Sequence, residues 1–106
     1  MDINEYLEKH RKLESFGSVS MLKIRPRIEC KDGFNISVQV GEYLYCRPRI
    51  NDGPYTHVEC GYPSEQEDLL MPFIETDRED PTSSVYPFTP VEVVNAVIEK
   101  HGGMKE

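Results

Sequence analysis

Four arginines stand in two copies of one tetrapeptide, Arg25-Pro26-Arg27-Ile28 and Arg47-Pro48-Arg49-Ile50, each followed by an Asp-Gly turn. In an extended segment, residues two apart share a face, so the two arginines of each copy point the same way. Neighbouring copies, helped by Lys23, would form a basic plate whose guanidinium forks fit phosphate or carboxylate. Tyr43, Tyr45 and Tyr55 could stack a base beside it. The competing reading is an outer face whose arginines pair with the protein's own carboxylates, a contact worth little.

The second constellation is acidic. Glu65, Glu67, Asp68, Glu75, Asp77, Glu79 and Asp80 lie in one stretch, against Arg78 alone. As a surface, this run would dock on a basic partner and speed the encounter, at its sharpest by imitating the charge of a nucleic acid. The plainer reading is a solvated helix face and loop.

Other chemistry is sparsely signed. His10, His57 and His101 are scattered, and no serine or cysteine stands in a nucleophile-elbow setting. The expectation is therefore a protein that is not an enzyme. Cys30, Cys46 and Cys60 contain no closely spaced pair, so a zinc site with His57 gives way to buried free thiols, and no metal or cofactor is expected. The formal charge of -7 disfavours direct binding to nucleic acid backbones. It is unevenly spread. Residues 1–53 carry nine Lys/Arg against eight Asp/Glu, and residues 54–106 carry three against eleven. No apolar run approaches the roughly 18 residues of a membrane span, and the first residues lack a signal-peptide pattern. The expected location is the cytoplasm, with no membrane partner.

The elements that must position these residues read as one α+β domain over residues 1–106. Ile3, Tyr6, Leu7, His10 and Leu13 share a helical face over 2–14, opened by an Asp2/Glu5 capping box. Leu22, Ile24, Ile28 and Cys30 alternate with Lys23, Arg25, Arg27 and Glu29 as a half-buried strand, with Pro26 marking an edge or a bulge. Lys31-Asp32-Gly33 turns the chain into a second strand with Phe34, Ile36, Val38 and Val40 inward. Tyr43–Arg47 and Tyr55–Cys60 read as third and fourth strands, the last with Thr56, Val58 and Cys60 on one face. Ser64 and Glu67 form a capping box for a helix through Leu70, limited by Pro72. Ser83–Pro87 is a short strand or an extended approach. Thr89 at the N-cap, Pro90 at N1 and Gly102-Gly103 at the end frame a last helix that packs Val91, Val94, Ala96, Val97 and Ile98. The expected architecture is an antiparallel sheet of about four strands with the N- and C-terminal helices packed on it.

Several runs carry a family likeness. Cys30-Lys31-Asp32-Gly33-Phe34, Gly61-Tyr62-Pro63-Ser64-Glu65, Asp68-Leu69-Leu70-Met71-Pro72, Val85–Val94 and Ile98–Met104 resemble small phage and prophage accessory proteins of Firmicutes. The resemblance covers most of the chain from about Arg27 onward and names no catalytic residue. It implies a phage-derived binding protein without turnover in the host cytoplasm. Its partner would be a host protein such as a nuclease or defence complex, inhibited in the manner of an anti-CRISPR protein through the acidic run. The alternatives are a sponge for a phosphorylated ligand such as a signalling nucleotide, held by Lys23, Arg25, Arg27, Arg47, Arg49, Tyr43 and Tyr45, or a minor virion or assembly component. Monomer and homodimer both fit; a dimer would use Tyr43, Tyr45 and Tyr55.

Overall fold

The computed structural model describes residues 1–75 and 80–105. The fold is α+β. A four-stranded antiparallel sheet, in the order β3-β4-β5-β6, is formed by Ile28–Glu29, Asn35–Gln39, His57–Gly61 and Val85–Pro90. Helix α1 (Ile3–Lys9) comes before it in the chain and helix α2 (Val91–Lys100) follows it. A separate hairpin pairs β1 (Leu13–Phe16) with β2 (Val19–Leu22).

The core gathers one face of each element. Ile3, Tyr6 and Leu7 from α1 and Val94, Val97 and Ile98 from α2 join Ile28, Ile36, Val38, Val58, Cys60 and Tyr86 from the sheet. The period-2 pattern from Phe34 to Val40 is realised in full, since Phe34, Ile36, Val38 and Val40 are all buried. The β3–β4 turn closes with Cys30 N–H on the Phe34 carbonyl and Phe34 N–H on Asp32 Oδ1, while Gly33 supplies φ 97°. The Asp2/Glu5 capping box opens α1, whose Ile3 N–H also donates to Asn95 Oδ1 of α2 at 2.8 Å.

Elsewhere local signals lose to tertiary ones. The first helix stops at Lys9, and Leu13 belongs to β1, because Phe16-Gly17-Ser18-Val19 makes a two-residue turn with Gly17 at φ 64°. The strand expected over Leu22–Cys30 breaks between Leu22 and Ile28, and its faces invert at the break. Ile24 is 86% exposed and Arg25 is 3% exposed. Gln39 accounts for the inversion: its side-chain amide accepts from Arg25 N–H and donates to the Arg25 carbonyl, both at 2.9 Å, in place of a strand partner. Tyr43–Arg47 is a looped segment, with only a bridge between Arg47 and His57, and Thr56 is exposed ahead of β5.

No α-helix forms at 64–70. Ser64 exchanges hydrogen bonds with the Asn35 backbone, so its hydroxyl is not free to cap, and a 3-10 turn follows at Met71–Phe73. Thr89 does not cap α2 either. Its hydroxyl donates to the Tyr86 carbonyl inside β6, and the helix begins after Pro90, with Ala96 exposed. No helix among the described residues is long and apolar enough to cross a membrane.

Candidate functional site

The site begins with a chain reversal. After α2, Gly102 and Gly103 take φ of 92° and 90°, which turns the tail back along the outer edge of β3. Lys31 N–H donates to the Gly103 carbonyl, Lys105 N–H donates to the Glu29 carbonyl at 2.7 Å, and Cys30 bridges Met104. The tail becomes one wall of a cleft of about 690 Å³, faced by Tyr6 and Lys9 of α1, by His10 at its C-cap, and by Arg27, Ile28, Glu29 and Lys31. That volume lies in the range of small-molecule sites.

His101 holds this wall in place. Its Nδ1 lies 2.6 Å from Asp32 Oδ2 and its Nε2 lies 2.8 Å from Glu67 Oε1, while its ring stacks on Phe34 at 4.1 Å. A ring that meets a carboxylate at both nitrogens donates two N–H bonds and is an imidazolium. Burial works against that charge, but the bonds to Asp32 and Glu67 outweigh it and raise the His101 pKa. Glu67 shows the converse: burial favours its neutral form, yet Leu69 N–H, Lys100 and His101 together keep its pKa below the usual carboxylate value. Lys100 Nζ completes the network at 2.9 Å from Glu67 Oε1. With His101 at 7% and Glu67 at 2% exposure, the centre of the network is buried and works as a pin between the tail, Asp32 and Glu67.

Charge distinguishes the cleft. Lys9, Arg27, Lys31 and Lys105 line it against the single carboxylate of Glu29, on a chain of net charge -7. Among the described residues these four cations have no ion-pair partner, whereas Lys23 pairs with Glu14, Arg11 with Asp52 and Lys100 with Glu67. The guanidinium of Arg27 is oriented by Asn35 Oδ1 at 2.8 Å and by the Tyr62 carbonyl. Tyr6 fixes one wall by donating to the Pro26 carbonyl, and its ring lies 4.4 Å from that of His10.

The two arginine tetrapeptides do not build a shared plate. Arg25 is buried, with Nε donating to the Leu7 carbonyl at the end of α1. Arg47 lies over the Phe88 ring at 4.8 Å and Arg49 over Tyr45 at 5.7 Å, so both spend their faces on aromatic contacts. Lys23 is held by Glu14. Tyr43 and Tyr45 are exposed, but Tyr55 is buried and donates to the Ile50 carbonyl, which removes it from any surface patch. Arg27 alone of the set lines the cleft.

The acidic run is divided as well. Glu65, Asp68 and Glu75 are exposed, while Glu67 points inward to His101. Asp80 is exposed, but its carboxylate accepts from Thr82 and Ser83. Asp77 and Glu79 lie outside the described residues. Cys30, Cys46 and Cys60 are buried free thiols, and among the described residues no His, Cys, Asp and Glu group is arranged to hold a metal.

Family models, curated proteins and solved structures were each compared with this chain, and none matches it. The cleft therefore stands on its geometry alone.

Proposed function

We propose that the protein is a binding protein without turnover that holds a small, multiply charged anion, of the class of phosphorylated metabolites and nucleotides, in the cleft between α1, β3 and the tail. The carrying observation is the excess of three positive charges, with no ion-pair partner among the described residues, around a concavity of about 690 Å³ on a chain of net charge -7. Cations with no ion-pair partner among the described residues retain their field for a ligand on an acidic protein.

Thermal unfolding with pyrophosphate, ATP and cyclic nucleotides at millimolar concentration tests this. A ligand at 100 times its Kd stabilises by about 2.7 kcal/mol. Lys31→Glu/Lys105→Glu should abolish the shift, Lys12→Glu should not, and rising salt should weaken it. No shift with any of these anions, or one indifferent to the double variant, removes the proposal.

A second reading rests on Glu65, Asp68 and Glu75, which face solvent together with Asp80. Presented to the basic groove of a host nucleic-acid-handling or defence protein, they would inhibit it by charge mimicry, as the phage resemblance implies. Capture from host lysate that is lost on reversing Glu65, Asp68 and Glu75 to Lys, and kept in Lys31→Glu/Lys105→Glu, favours this reading over the cleft.

A further inference from the structure

The fold leaves the charge of Arg25 partly unanswered. This residue is 3% exposed, and its one side-chain hydrogen bond among the described residues runs from Nε to the Leu7 carbonyl. That bond accounts for a cation at the end of α1, where helix carbonyls lack partners. It leaves the rest of the guanidinium unused. Nη1 is sealed from solvent and has no hydrogen-bond partner among the described residues. No carboxylate there lies within ion-pair distance of Arg25 either. A buried charged donor left unmade is costly. Burial accordingly lowers the Arg25 pKa, as it does for a cation short of a counter-charge.

Arg25 lines a second concavity, of about 370 Å³. Asn4, Leu7 and Glu8 of α1 line it too, whereas Tyr6 and Lys9 face the anion cleft, so the helix stands between the two. The far wall is the segment from Asp52 to Tyr55. It is tied to the helix without any ligand. Asn4 Nδ2 donates to the Tyr55 carbonyl at 2.9 Å, and Tyr55 N–H donates to Asn4 Oδ1 at 2.8 Å. Arg11 Nε donates to the Asn51 carbonyl at 2.8 Å and lies 3.8 Å from Asp52. Among the four charges around this pocket, Arg11 and Asp52 thus answer each other. Arg25, which is buried, and Glu8, which is exposed, have no ion-pair partner among the described residues.

We infer that this pocket binds a small zwitterion of the free α-amino acid class, its carboxylate toward Arg25 and its ammonium toward Glu8. Charge selects the class. A phosphate-like dianion would meet the carboxylates of Glu8 and Asp52, and a simple amine would leave the Arg25 donors unmade. A zwitterion answers both unpaired groups and keeps the pocket neutral. Nη2 has no protein partner among the described residues and, unlike Nη1, is not sealed from solvent, so it is the donor that a carboxylate reaches. Leu7, Pro54 and Tyr55 supply apolar contact for the ligand's side chain. This site is independent of the anion cleft.

Amide chemical-shift mapping of the full chain by NMR, with the common amino acids at millimolar concentration, tests it. At least one should move the Leu7, Gly53 and Tyr55 amides and leave those of Lys31 and Lys105 in place. The amine and the acid that each retain only one of its two charged groups should bind at least tenfold more weakly. Arg25→Met, which keeps the side-chain stem without the charge, should abolish the response. Glu8→Gln, a change at an exposed position that preserves the fold should the arginine variant not, should weaken it at least tenfold. No response to any amino acid overturns the inference, as does one indifferent to Glu8→Gln or one lost in Lys31→Glu/Lys105→Glu. Equal affinity for the deaminated acid overturns it as well.

Discussion

Replacing His101 by alanine is the sharpest test of how the tail wall is held. The substitution removes the bond between His101 Nε2 and Glu67 Oε1, made by side chains 8% and 1% exposed, and leaves Glu67 with only Lys100 and Leu69 N–H. A hydrogen bond to a charged group contributes about 1.5–3 kcal/mol. The stack on Phe34, at 4.1 Å and 12° between planes, adds about 0.5–1.5 kcal/mol. The expected loss is about 3 kcal/mol, or roughly 15 °C in Tm for a domain of this size. His101→Phe/Glu67→Leu should recover part of it, since removing both partners leaves no stranded charge.

The same variant fixes a pH window. The native pKa of His101 is raised, so its contribution is complete below the ordinary histidine value of about 6.5 and disappears as pH rises through the native one. Asp32 is lowered by Phe34 N–H and by His101, and Glu67 by the bonds that outweigh its burial. Their contributions are complete above about pH 4.5 and disappear as pH falls through the native values. The stability gap between wild type and His101→Ala, read by urea denaturation, should therefore be widest from about pH 4.5 to 6.5 and narrow on both sides. A gap under about 0.5 kcal/mol, the ordinary scatter of surface changes, or one that grows toward pH 9, refutes the pin.

Two further outcomes are expected. Ile36→Ala should cost about 3 kcal/mol in urea denaturation as a core truncation, while Ile24→Ser should stay within about 0.5 kcal/mol, because Ile36 is 1% and Ile24 86% exposed. The three thiols should resist a thiol-specific reagent until the protein unfolds, Cys60 above all, since burial pushes its pKa up to about 12.

The parts of the fold legible in the sequence are those whose partners are near in the chain or whose own period displays the buried face. The β3–β4 hairpin and the Asp2/Glu5 box rest on near contacts, and α2, though its partners are distant, displays its buried stripe in its own helical period, so period and turn chemistry decide. The misread segments answer to distant groups. Glu67 has the spacing of a capping residue behind Ser64, but Asn35 takes Ser64 and His101 takes Glu67. Pro26 signals an edge or a bulge; nothing local signals that Gln39 will bind the Arg25 backbone and turn that arginine inward.

The candidate site was less legible for the same reason. The arginine tetrapeptides attract attention because they are identical, yet their four arginines meet a helix carbonyl, an asparagine, a phenylalanine and a tyrosine. Identity of sequence fixes local reach and not the partner at its end. The cleft shows the converse. Lys9, Arg27, Lys31 and Lys105 form no motif, and Lys9 reads as an ordinary i,i+4 partner of Glu5. They converge because two glycines reverse the chain after α2 and because His101 ties that reversal to Asp32 and Glu67. The pin also draws Glu67 out of the acidic run while it sets Lys105 beside β3. One buried imidazolium thus weakens the surface that the sequence favours and assembles the one that it hides.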